Sequence, residues 1–209
     1  MRARTLATCV LLLICSLGTA YIFWYQELQY ALPTPLPANY KPVKVGASVV
    51  IPVPASLPKS DFYFHFYNPD CPCSLFNAEH VRQLIEKYKG KMQVVVVVPQ
   101  ATDVSSARKE FGDKVEIWSD GNGKLAGSLG VYSTPQAAIV DSHQQLYFRG
   151  NYNRSRYCTT NATNFAELAL IAYFKKMPPP AFDVWATQSY GCTLPQNKNS
   201  QTLIFNYVN

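Results

Sequence analysis

The stretch FHFYNPDCPCSLF, residues 64–76, joins a strand pattern to a helix pattern and carries two cysteines at the junction. Six consecutive aromatic or histidine side chains at 62–67 indicate the strand, and apolar residues recur at helical spacing over 75–88. Pro72 suits the first helical position, whereas Cys71, which precedes a proline, is kept out of the helical region. The sequence therefore predicts a strand-to-helix switch with Cys71 just before the helix and Cys73 inside its first turn.

The residues after this switch predict a sheet with helices on both faces. MQVVVVV at 92–98 is typical of a strand buried on both faces of a largely parallel sheet, which makes the first unit a βαβ unit. The remaining pattern predicts a helix over 102–111, a strand at 115–117, a short helix over 123–129, a hairpin of 136–140 with 145–149, and a last helix over about 164–176. This succession predicts an α/β fold.

Composition limits the broad class of protein. The chain has 209 residues, of which 48% are hydrophobic and only 15% are charged, enough for one globular domain and a short extra segment. The net charge is +6, but the lysines and arginines are scattered and form no run that could follow a phosphate backbone. We therefore expect no nucleic-acid partner.

The N-terminal segment predicts a membrane helix. Arg2 and Arg4 precede an uncharged run over residues 6–25, which is long enough to cross the hydrocarbon core. A cleavage site after Ala20 would make it a signal peptide, but the apolar run continues through aromatic residues, which favours an uncleaved anchor. The rest of the chain is then expected on the extracytoplasmic side, where disulfides persist. We expect a single-pass protein of the cell inner membrane that faces the periplasm or another extracytoplasmic space.

Three parts of the sequence together resemble a known family. They are FHFYNPDCPCSLF, then VVVVVP at 94–99, then WSDGNGKLAGSLGVYSTPQAAIVDSHQQLYFRG at 118–150. This succession resembles the thioredoxin-like redoxins, especially membrane-anchored TlpA-like thiol-disulfide oxidoreductases. The resemblance implies a thioredoxin-like fold with a mixed central sheet flanked by helices. It also implies that Pro135 follows a cis peptide bond and packs beside the reactive cysteine.

The same resemblance brings departures at the cysteine motif. Cys71 matches the attacking cysteine of the family, Ser74 stands where the second cysteine is usual, and the extra thiol is Cys73. Asp70 replaces the aromatic residue that commonly precedes the first cysteine. His65 corresponds to the family's buried acid. The chain therefore has a CPC motif in place of CxxC.

The CPC motif is predicted to be reactive. Both thiols lie near the positive end of a helix dipole, which stabilises a thiolate and lowers its pKa. A Cys71–Cys73 disulfide would close a small, strained ring, which suits disulfide donation or shuffling. The alternative is a buried or paired motif without chemistry. His65 can relay a proton to the second sulfur or simply form a hydrogen bond in the core, and the core role is favoured. His80 and His143 are expected to face solvent.

Two more cysteines follow the hairpin. The strand that ends near Arg149 should run parallel to the one that ends at Tyr67, so the loop with Cys158 leaves the sheet at the same end as CPC. Cys192 can return from the end of the last helix, because the intervening residues span up to about 50 Å. Its partner cannot be deduced from sequence. A structural Cys158–Cys192 bridge is the favoured interpretation, and a resolving or relay role for either residue is the alternative.

The predicted organisation has four parts: a membrane anchor or signal peptide at 1–25, a proline-rich linker at 26–60 that extends as a stalk, a thioredoxin-like domain at 61–177, and an extension with Cys192 at 178–209. The predicted function is a membrane-anchored thiol-disulfide oxidoreductase with Cys71, Cys73, Pro135 and His65 at its site. We expect no cofactor and no resident metal. The expected partners are protein thiols and disulfides as substrates, an unidentified redox partner, and the membrane. The alternatives are a copper-binding chaperone similar to the Sco proteins and a redox-silent interaction module.

Overall fold

The strand before the CPC motif lies at the centre of a five-stranded mixed sheet. The computed structural model describes residues 2–28, 32–52, 60–155 and 160–197. The sheet has the order β3-β2-β1-β5-β6, in which β1 is parallel to β2 and antiparallel to β5. Its strands are β1 (Phe62–Phe66), β2 (Gln93–Val98), β3 (Glu116–Ser119), β5 (Gln136–Val140) and β6 (Leu146–Gly150). A separate two-stranded sheet joins β4 (Ser133–Thr134) to β7 (Cys192–Thr193).

The helix α1 (Arg2–Phe23) precedes the sheet. The other helices follow strands of the sheet and are α2 (Pro72–Tyr88), α3 (Val104–Phe111), α4 (Lys124–Ser128), α5 (Phe165–Phe174) and α6 (Val184–Thr187). Short 3-10 helices lie at Ala101–Asp103, Asn161–Thr163 and Pro195–Asn197. The predicted α/β fold of thioredoxin-like type, with a mixed central sheet flanked by helices, is confirmed.

Alternation along β1 builds a separate core on each face of the sheet. Tyr63 packs with buried residues of α2 and α5, whereas Phe62, Phe64 and Phe66 pack with residues of α4 and with Val49. All five residues of β1 are buried, as expected for a central strand covered on both faces. This double covering fixes the end of β1, from which the chain turns into the cysteine motif.

The N-terminal helix is exposed along its length. The helix α1 continues as a π-helix at Trp24–Leu28, and no described residue of α1 or of this turn is buried. The segment Arg2–Leu28 has a mean hydropathy of 2.2 over its most apolar window and is long enough to cross a membrane. A signal sequence has the same length and composition, so an anchor and a signal sequence both fit the segment.

The described part of the proline-rich segment, residues 32–52, lies against the domain instead of extending from it as a stalk. Val49 and Ile51 are buried in the core, and Ser48 forms a β-bridge with Gln145 on the hairpin. Further upstream, Pro33 forms an antiparallel bridge with Tyr190. The apolar residues between the prolines explain why the segment packs on the core, because their burial is favourable. The prolines alone favour an extended backbone, which predicted a stalk. The described part of the C-terminal segment, which ends at residue 197, also folds back onto β4 through Cys192 and Thr193. Described residues of both flanks therefore lie beside the cysteine motif.

Candidate functional site

Cys71 occupies the predicted position immediately before α2. Its backbone is extended, with φ −97° and ψ 115°, and Pro72 is the first helical residue. The Cys71 carbonyl accepts hydrogen bonds from the amides of Ser74 and Leu75 at 3.0 and 3.2 Å. The side chain, which is 0% exposed, sits at the positive end of a 17-residue helix.

Cys71 forms a disulfide with Cys192, 121 residues further along the chain. The two Cα atoms are 5.9 Å apart, within the usual range for a disulfide. The favoured Cys158–Cys192 bridge was therefore wrong, since Cys192 has a different partner, and Cys158 lies outside the described residues. The reason is the pairing of β7 with β4, which sets Cys192 opposite Thr134 and beside the start of α2.

A close backbone approach holds the segment before Cys192. Gly191 has φ +118°, and a Cβ atom added to it would lie 2.2 Å from the Thr134 carbonyl oxygen. The other side is held by Thr34, whose hydroxyl donates to the Gly191 carbonyl at 3.2 Å and whose amide donates to Ser189 at 2.8 Å. Glycine is therefore required at 191 both for its conformation and for space. The cysteine strand lies between the proline-rich segment and β4.

Pro135 follows a cis peptide bond, as the resemblance implied. The carbonyl oxygen of Thr134, the residue before it, is 3.5 Å from the Cys71 sulfur. The same residue pairs with Cys192 in the two-stranded sheet. The segment around Pro135 thus contacts both halves of the disulfide.

Cys73 lies in the first turn of α2, as predicted; it is buried there and keeps a thiol. Its carbonyl accepts a hydrogen bond from the Asn77 side chain at 2.9 Å. Ser74, which the sequence resemblance matches to the usual second cysteine, is also buried, and its hydroxyl accepts a hydrogen bond from the Asn68 backbone amide at 3.3 Å. The exchange of Cys71 with Cys73 stays a prediction.

His65 belongs to a buried hydrogen-bond chain. Its Nδ1 lies 2.8 Å from the Tyr152 hydroxyl, which lies 2.7 Å from the Tyr63 hydroxyl. Burial lowers the pKa of His65 to about 3, so the ring is neutral near neutral pH. These hydrogen bonds link His65, through Tyr152, to Tyr63 near the start of β1. They support the core role that the sequence favoured. A proton relay through His65 stays a prediction.

The other histidines differ from each other. His143 is exposed in the hairpin turn, as expected, with 83% of its side chain accessible. His80 was expected to face solvent but is half-buried beside the Tyr152 ring, and burial lowers its pKa. Helical spacing alone could not predict this burial. It depends on Tyr152, which follows β6 in sequence and packs against His80 of α2.

A cleft of about 410 Å³ opens beside the disulfide. Cys192 is partly exposed and lines this cleft, whereas Cys71 does not line it. The cleft also carries two carboxylates, Asp70 and Asp103. Burial, together with the charge of Asp70, raises the pKa of Asp103, while a hydrogen bond from the Gln100 amide at 3.1 Å opposes the rise. The remaining described lining residues are Pro35, Leu36, Pro37, Asn68, Pro99, Gln100, Thr193, Pro195 and Asn197.

A metal site needs several ligating side chains close together. Within 2–28, 32–52, 60–155 and 160–197, no group of three or more His, Cys, Asp or Glu side chains is placed to hold a metal ion. The chemistry available from the described residues at this site is that of a disulfide, a second nearby thiol and two carboxylates.

The family model described as a domain of unknown function (DUF6436) matches residues 47–194. The chain belongs to this family. The match includes the CPC motif, Pro135 and Cys192, so the whole disulfide site falls within the family's domain. No curated protein matches the sequence.

Several solved structures are similar in fold. A hypothetical protein from Sinorhizobium meliloti is 18% identical, with 74% of this chain and 96% of that chain covered and a TM-score of 0.59. An uncharacterized conserved protein from Geobacillus kaustophilus is 20% identical, with 78% and 97% covered and a TM-score of 0.59. A secreted disulfide oxidoreductase of Mycobacterium tuberculosis is 14% identical, with 56% and 85% covered and a TM-score of 0.44. At these identities the similarity concerns the fold alone.

Proposed function

We propose that this protein is a membrane-anchored, extracytoplasmic thiol-disulfide oxidoreductase that exchanges disulfides with protein thiols. The observation that carries the proposal is the Cys71–Cys192 disulfide, which joins a helix N-terminus to a cysteine in the wall of an open cleft. A purely structural bridge has no need for either feature. A redox-active one needs both, because a thiol must reach one sulfur and the other sulfur must leave as a stabilised thiolate.

Cys71 is the central sulfur of the proposed couple. It is bonded to Cys192, and Cys73 lies two residues away in the same helical turn. We assign Cys73 the role of resolving thiol for any substrate that becomes joined to Cys71: it attacks the Cys71 sulfur, forms a Cys71–Cys73 disulfide and releases the substrate thiol. Pro135 has a positioning role, because the segment it belongs to pairs with Cys192 and contacts Cys71.

The proposed location follows from the N-terminal segment. The helix within Arg2–Leu28 is apolar enough to anchor the chain, and a domain with a persistent disulfide fits an oxidising compartment on the outer side of the inner membrane. Fractionation of cells that express the full chain tests this. An anchored protein stays with membranes after a high-salt or carbonate wash, whereas release of a chain shortened at its N-terminus contradicts the anchor.

The experiment for the activity uses the oxidised full chain in detergent micelles and a reduced, unfolded test protein. Disulfide formation in the test protein is followed by alkylation and mass spectrometry. Cys71→Ser should abolish it, and in Cys73→Ser any mixed disulfide formed on Cys71 should persist for longer, because the thiol that would release the substrate is gone. Cys9→Ser and Cys15→Ser, in the N-terminal helix, are matched controls that should leave the rate unchanged.

The activity of Cys71→Ser can be interpreted only if this variant is folded. Reduced wild-type protein also lacks the disulfide, so its unfolding in urea provides the reference for the stability of Cys71→Ser. If Cys71→Ser is as stable as that reference and the test protein is oxidised as fast as by the wild type, the proposed function is wrong.

A further inference from the structure

The two cysteines of the disulfide differ in their exposure to solvent. Cys71 is 0% exposed, whereas Cys192 is partly exposed and lines the cleft. Thiol-disulfide exchange requires the incoming thiolate to reach one sulfur directly. In the oxidised protein Cys192 is therefore the half of the disulfide that faces the cleft, although the motif alone assigns first contact to Cys71.

The charges around the two sulfurs also differ. Charge that develops on Cys71 meets the positive end of α2, which offsets part of the cost of burial. Cys192 instead shares the cleft with Asp70 and Asp103, which disfavour negative charge there, and the described cleft lining contains no lysine or arginine to offset these carboxylates. Because the better-stabilised thiolate is the better leaving group, the difference favours Cys71 as the group that leaves.

The backbone keeps Cys192 in place for such an attack. Its strand pairs with β4 on one side and is held by Thr34 on the other. Gly191 permits this close packing, since any side chain at that position would meet the Thr134 carbonyl. Cys192 can therefore receive a substrate without the strand being displaced.

From these observations we infer that Cys192 is the sulfur attacked by the substrate, that Cys71 is the leaving group, and that the cleft selects thiols without negative charge near the sulfur. This inference rests on the proposed function and assigns the order of its steps. It makes Cys192 a catalytic residue, and it makes the acidic cleft the determinant of substrate class.

The steps balance as two successive exchanges. A substrate thiolate attacks the Cys192 sulfur, forms a mixed disulfide with it, and releases Cys71 as a thiolate. A second substrate thiolate then attacks the substrate sulfur of that mixed disulfide and releases the Cys192 thiolate. The substrate loses two electrons and two protons from its thiols, and the protein disulfide gains the two electrons. In the reverse direction, the Cys192 thiolate attacks the substrate disulfide and Cys71 resolves the product.

The first test identifies which cysteine carries the substrate. The oxidised full chain in detergent micelles is mixed with cysteamine and quenched with acid while only a small fraction of the disulfide has opened. New thiols are alkylated and the digest is mapped by mass spectrometry. We expect cysteamine on Cys192 and the alkyl label on Cys71, at least tenfold over the reverse arrangement.

The second test concerns charge. Cysteamine and 3-mercaptopropionate are compared at equal thiolate concentration and low ionic strength, and the cation should open the bond about tenfold faster, because two carboxylates act on it. The Asp70→Asn, Asp103→Asn double variant should bring the two rates close together. Glu86→Gln, on an exposed helix face outside this cleft, is the matched control and should preserve the difference.

The outcomes separate this inference from the proposed function. Cysteamine found first on Cys71 or on Cys158 overturns the inference and leaves the oxidoreductase proposal standing. An unchanged preference in the double variant overturns the assignment of the cleft. A disulfide that neither thiol nor the reduced test protein opens overturns both proposals.

Discussion

Removal of the Cys71–Cys192 bond should lower the free energy of unfolding substantially, because the bond closes a very long loop. With a sequence separation of 121, the chain-entropy relation gives about 5 kcal/mol at 25 °C, and native disulfides commonly contribute about 2–4 kcal/mol. We therefore expect Cys192→Ser to cost about 2–5 kcal/mol. Since Cys192 is partly exposed, serine should fit locally, and the cost should come from the lost bond.

Urea unfolding of the oxidised full chain in detergent micelles measures this cost. For a urea dependence of about 2 kcal/mol per molar, the midpoint of the variant should lie about 1–2.5 M lower. Dithiothreitol should bring the wild type down to the level of the variant and leave the variant unchanged. The reasoning is refuted if the variant unfolds at the wild-type midpoint, or if the reductant destabilises the variant as much as the wild type.

Two further predictions concern the strand of Cys192 and the buried histidine. Gly191→Ala should slow formation of the disulfide and destabilise the domain by more than Gly46→Ala, because both glycines have positive φ but only the first meets a backbone carbonyl; equal losses in urea unfolding would contradict this. Burial lowers the pKa of His65 to about 3, so below about pH 6.5 the unfolded chain binds a proton that the folded chain excludes. The free energy of unfolding should therefore fall by up to about 1.4 kcal/mol per pH unit between pH 6 and 4. His65→Gln should reduce this slope and the exposed His143→Gln should not, as urea unfolding at several pH values can measure; identical slopes in all three proteins would refute the burial argument.

Local patterns in the sequence were enough for most of the fold. The continuous apolar run of β2 indicated a doubly covered strand, and β2 is buried between its neighbours. Pro72 set the start of α2 because its ring excludes the preceding residue from the helix. Such features depend on neighbours within a few residues, so spacing and turn residues are sufficient to identify them. The packing of Val49 and Ile51 could not be predicted in this way, because no periodicity marks a segment that lies across a core.

Only part of the site could be predicted from the sequence. Cys71, Cys73 and the cis bond before Pro135 could be placed from the motif and the resemblance. The partner of Cys71 could not, because it depends on the pairing of two strands of two residues each, Ser133–Thr134 with Cys192–Thr193. Gly191 was the available signal, since a glycine directly before a cysteine can mark a close backbone approach. The close approach can be recognised only once the position of the Thr134 carbonyl is known.

The proposal that the Cys71–Cys192 disulfide oxidises protein thiols is tested most directly by comparing the electrons that the test protein loses with those that this disulfide gains. The oxidised full chain in detergent micelles is incubated with a limiting amount of reduced test protein, and the cross-linked Cys71–Cys192 peptide is quantified by mass spectrometry. We predict that each disulfide formed in the test protein is matched by the loss of one Cys71–Cys192 cross-link. Formation of disulfides in the test protein while the Cys71–Cys192 cross-link remains intact would contradict the claim.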